Sequence, residues 1–168
     1  LCQDIQGQTF DYPEEFFKER IHSIRRPRPD DFQIKEAAEK IKKSKNPIII
    51  SGGGVFYSNA MEELSNFAIK HNIPVTQTVM GYSTMKRDHS HYAGQIGGLG
   101  GKNTNDLAKE TDLAIAVGTK LADFTTGSWA NFENENFKLL SINVSRFDAN
   151  KHLAQAVVGD AKVSLIEL

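Results

Sequence analysis

The sequence predicts an α/β fold: a doubly wound, mainly parallel sheet of about six strands with helices on both faces. Three observations carry this. Short apolar runs alternate with segments of helical period along the chain. The runs are rich in Ile, Val and Leu and almost free of polar residues, as in strands covered on both faces. Most of them end in a glycine, where a strand hands over to a helix. Composition agrees, with 39% hydrophobic and 24% charged residues in 168. Those are ordinary proportions for a globular chain. At roughly 150 residues per domain the length gives one domain.

Residues 1–29 hold Pro13, Pro27 and Pro29 and no useful period, so they read as a connector. The basic cluster Arg25, Arg26 and Arg28 reads as its solvated face. The chain opens Leu1-Cys2-Gln3-Asp4 without methionine, as the tail of a preceding segment would. Asp30 or Asp31 can cap a helix by accepting its free first-turn amides. Phe32, Ala37, Ala38 and Ile41 continue that helix to about Lys43–Lys45. Pro47–Ser51 is the first strand, and Gly52, Gly53 and Gly54 turn the chain after it. Ser58 is a candidate cap for the next helix, with Met61, Leu64, Phe67 and Ala68 as its apolar stripe. A second strand covers 74–79. Residues 81–101 read as a long loop containing six glycines. A helix over about 103–110 precedes strands at 113–117, 139–144 and 156–159. Asp160 can cap a last helix running through Leu165.

Several function classes are disfavoured. A net charge of −1 supplies no field for nucleic acid. No apolar run approaches the ~20 residues of a membrane span. No basic segment followed by an apolar one marks a secretory leader, and the single cysteine, Cys2, cannot close an internal disulfide. A cytoplasmic location is the expectation. An NAD site is disfavoured because Tyr57 stands where the third glycine of G-x-G-x-x-G belongs and no acid follows Gln77 and Thr78. Gly101-Lys102-Asn103 is not a P-loop: Ile96 replaces its first glycine and Asn103 its Ser/Thr. His89 and His91 sit in a loop with no third metal ligand near them in sequence, and His152 reads as a surface residue.

In parallel α/β sheets ligands sit beyond the carboxyl ends of the strands. The candidate positions are therefore Gly52, Gly53, Gly54, Gly118, Thr119, Asn143 and Asp160. Glycines there let backbone amides approach an anion. A nucleotide or diphosphate cleft is one reading, and a set of tight strand-to-helix turns is the other.

These turns, with their spacing, resemble the central domain of thiamine-diphosphate-dependent enzymes. The matching features are the Pro-rich connector, Pro47–Gly54, the glycine-rich Gly94–Gly101, the Asp-led strand Asp112–Thr119 and Gly159-Asp160. Within that family, three segments resemble the hydrolases that open a cyclic 1,2-diketone in inositol breakdown. They are Leu1–Gly7 with Asp11-Tyr12-Pro13, Asp123–Trp129 and Phe147–His152. Cys2 departs from the proline usual there. The resemblance implies a Rossmann-like central domain over 30–168, with residues 1–29 as linker and tail of a preceding catalytic domain. It implies thiamine diphosphate and Mg²⁺ held by two catalytic domains outside these residues, in a homo-oligomer. Gly159-Asp160-Ala161 is not the Gly-Asp-Gly of the cofactor-binding segment, so no catalytic or metal-binding residue is expected here. Relatives such as acetolactate synthase imply an alternative, an ADP- or FAD-binding module. Asn143 stands where flavin-binding relatives tend to carry an aspartate.

Overall fold

The computed structural model describes residues 2–168; Leu1, first residue of the expected tail, lies outside the described residues. Six strands form one sheet: β1 (Pro47–Ser51), β2 (Val75–Gln77), β3 (Tyr92–Gln95), β4 (Leu113–Val117), β5 (Lys138–Asn143) and β6 (Gln155–Val158). Their order is β3-β2-β1-β4-β5-β6, and every pair is parallel. The order reverses between β1 and β4, so the crevice outside that point is where ligands bind in such sheets. The longer helices are α2 (Asp31–Lys43), α4 (Met61–His71), α5 (Lys102–Glu110) and α8 (Ala161–Glu167). Shorter ones are α1 (Gln3–Gln6), α3 (Gly53–Tyr57), α6 (Asp123–Thr126) and α7 (Arg146–Ala149).

Alternation along each strand divides the core into two layers. Ile49, Ile115, Val117, Leu140 and Ile142 face one side and pack with Leu64, Phe67 and Ala68 of α4 and Leu165 of α8. Ile48, Ile50, Ala114, Ala116 and Leu139 face the other, against Ala108 of α5 and Trp129, Phe132 and Phe137. That is why these runs show no polar alternation: both faces are covered. Fully burying one such Ile or Leu contributes about 1.5–3 kcal/mol.

The structure moves several sequence expectations. Within the expected loop 81–101, Tyr92–Gln95 forms β3, an edge strand paired to β2. It is only half-buried and contains Gly94 at φ +101, so it carries no apolar run to read. The register shifts beside Val75 and Thr76, where the partners are Tyr92 and then Gly94. The β2 strand stops at Gln77, because Thr78 caps a 3-10 turn over Val79–Gly81. The glycine turn after β1 is itself the start of α3. Ser58 does not cap α4; it ends α3, and Ala60 precedes the first residue of α4. Asp30 and Asp160 do cap, accepting from Phe32 N and from Lys162 N and Val163 N.

The basic cluster is not uniformly solvated either. Arg26 donates to Asp160 at 3.0 Å and to the Ser58 carbonyl at 2.7 Å. Arg28 pairs with Glu167. Pro29 is buried against Gly159. The last few connector residues are thus strapped to the domain. His89 and His91 are also occupied: His89 Nε2 hydrogen-bonds to Ser65 Oγ at 2.8 Å and His91 Nε2 to Asn72 Oδ1 at 3.1 Å. They tie the approach to β3 onto α4. His152 is exposed and lies over Trp129, ring centroids 4.5 Å apart, which joins the two distinctive segments 123–129 and 147–152.

Candidate functional site

All seven candidate residues lie at the carboxyl edge of the sheet, around the switch point. The β1 and β4 turns meet backbone to backbone. Gly54 N donates to Gly118 O at 2.8 Å, and Gly52 N donates to Val117 O at 2.9 Å. A Cβ on Gly54 would stand 2.5 Å from Gly118 Cα, and one on Gly52 would stand 2.5 Å from Gly118 O. Gly118 adopts φ +61, in the left-handed region. These glycines are required by each other's closeness.

That closeness consumes hydrogen-bonding capacity. Besides the Gly52 and Gly54 amides, Gly118 N donates to Ile142 O at 2.9 Å, and Gly159 N donates to Asn143 O at 3.1 Å. Asn143 spends both ends of its side chain: Nδ2 donates to Thr119 O at 3.2 Å and Oδ1 accepts from Ser145 N at 2.9 Å. Asp160 is buried. Its Oδ2 accepts from Arg26 and, at 2.9 Å, from Ser58 Oγ. Its Oδ1 accepts from Lys162 N and Val163 N at 3.0 and 3.3 Å. Among the described residues, only the Gly53 and Thr119 amides of this set are without a partner.

Two clefts flank the Gly54–Gly118 contact. One, about 520 Å³, lies under the connector strap between Arg25, Tyr57, Ile142, Val144 and Asp160. The other, about 450 Å³, is walled by Met80, Ile96, Leu99 and Phe124. Both fall within the usual size for small-molecule sites. Gly54 and Gly118 border both, Asn143 and Asp160 the first, and Gly53 and Thr119 the second. Gly52 sits behind them, buried. The turns therefore gather the seven residues but divide them between two spaces.

Residues outside the expected set shape the first cleft. Arg25 and Arg26 arrive from the connector, Tyr57 and Ser58 from α3, and Val144 from the end of β5. The sequence marked Arg25 and Arg26 as a basic run, Tyr57 as a break in a glycine pattern and Ser58 as a cap, but none of them as part of a cleft. Arg25 has no hydrogen-bond or ion-pair partner among the described residues.

The fit to the implied cofactors follows from these bonds. Thiamine diphosphate is held through a metal, which needs a carboxylate with free lone pairs. The Gly-Asp carboxylate here, Asp160, is already shared among an arginine, a serine and two helix amides. The residues present do not fit that group. Nor do the described residues contain a cluster of three or more His, Cys, Asp or Glu able to hold a metal ion. The first cleft fits a nucleotide diphosphate poorly, because the Gly54, Gly118 and Gly159 amides are taken within the chain. Among the described residues no helix is long and apolar enough to cross a membrane.

Comparison with known proteins adds the following. The family profile described as thiamine pyrophosphate enzyme, central domain, matches residues 34–168. A 3D-(3,5/4)-trihydroxycyclohexane-1,2-dione hydrolase from Clostridium perfringens is 46% identical over 168 residues, covering 100% of this chain and 26% of that protein. A protein of the same name from Clostridium tetani is 47% identical over 165 residues, 98% of this chain and 26% of its own length. The chain thus spans about a quarter of the relatives it matches. In structure it resembles a benzoylformate decarboxylase from Polynucleobacter necessarius, with a TM-score of 0.68 and 22% identity. That match covers 92% of this chain and 31% of the other, and it bears on the fold alone.

Proposed function

The chain belongs to the thiamine pyrophosphate enzymes as their central domain, and from that premise we propose that it is the non-catalytic middle part of a cyclic-diketone hydrolase. The single observation carrying the proposal is the 46–47% identity, across essentially the whole chain, to proteins named as trihydroxycyclohexane-dione hydrolases. In the proposed reaction, water opens the ring by cleaving the bond between the two carbonyl carbons. One carbon leaves as a carboxylic acid and the other as an aldehyde. Thiamine diphosphate and Mg²⁺ serve that reaction in two catalytic domains flanking this one, within a cytoplasmic homo-oligomer.

The role left to these residues is mechanical. The sheet, packed with a core layer on each face, is the body to which the connector is tied. The strap around Arg26 fixes how the connector enters it. Gly52, Gly53, Gly54, Gly118, Thr119, Asn143 and Asp160 are proposed to frame the strand-end clefts and perform no chemistry. The acetolactate synthase-like alternative, an ADP or FAD module, draws support from the size of the first cleft. The spent amides weigh against it.

The test compares the long protein containing this sequence with the 168-residue chain. Both receive the cyclic diketone, thiamine diphosphate and Mg²⁺, and proton NMR follows the new aldehyde. Turnover by the long protein and none by the short chain is expected. Ring opening by the 168-residue chain alone would refute the non-catalytic role. A long protein that leaves the diketone intact while acting on pyruvate would refute the hydrolase assignment.

A further inference from the structure

We propose that the strap-covered cleft binds a small molecule with an apolar body and one acidic group, held by Arg25, and is not built for a nucleoside diphosphate. The inference stands on the cleft's own residues, whatever reaction the long protein catalyses. Its walls are largely apolar: Ile24, Pro27, Tyr57, Ile142, Val144 and Ala161. Its polar members are mostly satisfied before any ligand arrives. Asn143, Ser58 and Asp160 bond within the chain, as do the Gly54, Gly118 and Gly159 amides.

A buried group already paired gains nothing from a ligand that would have to break the pair. A diphosphate placed here would find its backbone donors taken. A ribose hydroxyl would find Asp160 saturated. The remaining charged donor is different. Arg25 lines the cleft, is exposed, and has no partner among the described residues. Arg26 beside it pairs with Asp160 through one terminal nitrogen, so the pair adds no net charge to the wall. The cleft therefore presents one uncompensated guanidinium beside about 520 Å³ of mainly apolar space. A guanidinium pairs best with a planar carboxylate or a phosphate-type oxyanion. The apolar walls favour a hydrocarbon or aromatic remainder.

Octanoate and ADP are suitable probes. Each is titrated into the ¹⁵N-labelled chain at fixed ionic strength, and the amide signals of Gly54, Asn143 and Ala161 are followed. Saturable shifts with octanoate, and weaker or no saturation with ADP, are expected. Arg25→Gln should weaken octanoate by about tenfold, the loss of one charged hydrogen-bonded pair. Arg25 supports nothing else in the fold, so the variant should keep the wild-type Tm. Tighter saturation by ADP than by octanoate would overturn the proposal. So would octanoate binding unchanged by Arg25→Gln, or no saturation by either probe. Because the readout is binding, failure here leaves the hydrolase assignment to its own test.

Discussion

Asp160→Ala should be the most informative single change. The carboxylate does three jobs at once. It caps α8 through Lys162 N and Val163 N. It accepts from Ser58 Oγ, at the end of α3. It pairs with Arg26 of the strap, their side chains 6% and 37% exposed respectively. Losing the cap costs about 1 kcal/mol. Breaking a fully buried pair costs about 3–5 kcal/mol, but the half-open arginine brings this pair nearer 1–2 kcal/mol. Leaving the Ser58 hydroxyl without its acceptor adds roughly a further half to one. The expected loss is about 3 kcal/mol, or a Tm lower by roughly 6–12 °C for a chain of this length. Asp160→Asn keeps an oxygen for the cap and loses the charge, so about 1 kcal/mol is expected. The assay is urea unfolding read by Trp129, the single tryptophan. Trypsin then reports the strap: cleavage of the Arg25–Arg26 bond should be fast in Asp160→Ala and slow in wild type. A double-mutant cycle with Arg26→Ala should give a coupling of about 1 kcal/mol. A loss under about 1 kcal/mol for Asp160→Ala, or strict additivity in the cycle, would refute a latch between strap and sheet.

Two further outcomes follow from the turns and from the foot of β4. Gly118→Ala should cost more than about 3 kcal/mol or prevent folding, since its Cβ meets Gly54 Cα at 2.6 Å and its φ is +61. Gly101→Ala, whose Cβ meets only Thr104 Oγ1 at 4.0 Å, should leave the thermal midpoint nearly unchanged. Equal midpoints for the two variants would rule out the close backbone contact. Burial pushes the Asp112 carboxyl up, but hydrogen bonds from the Ser44 hydroxyl and the Lys45 and Asn46 amides outweigh it and hold its pKa below the ordinary 3.8. A depressed carboxyl pKa adds stability that is present above the unfolded value and lost as pH falls through the folded one. Acid unfolding below about pH 4 should therefore be shallower in Asp112→Asn than in wild type, with stability at pH 7 reduced by about 1 kcal/mol. Parallel acid limbs for the two proteins would contradict that account.

The strands buried on both faces were legible because burial leaves a local mark. Ile48–Ile50 and Leu113–Val117 are apolar throughout, and Leu139–Ile142 is apolar but for Ser141, whichever neighbours they meet. Caps of the Asp30 and Asp160 kind are local as well, since the carboxylate bonds amides two or three residues on. These signals fixed the fold class and placed the candidate residues at strand ends. Edge strand β3 left no such mark, because its identity is its pairing with β2 and its side chains are only half-buried. Ser58 has the composition of a cap, yet its hydroxyl goes to Asp160 rather than to the helix that follows. The hydrogen bonding of the candidate residues is set at the same distance. Whether a glycine amide is free for an anion depends on what the other turn's carbonyls require. Gly54 and Gly118 are brought together only by the β1–β4 pairing. The Arg26–Asp160 pair spans 134 residues. Residue type and period report how much surface a segment must bury. Which donor meets which acceptor is decided when the whole sheet closes, because each buried group takes the partner that the tertiary packing leaves within reach.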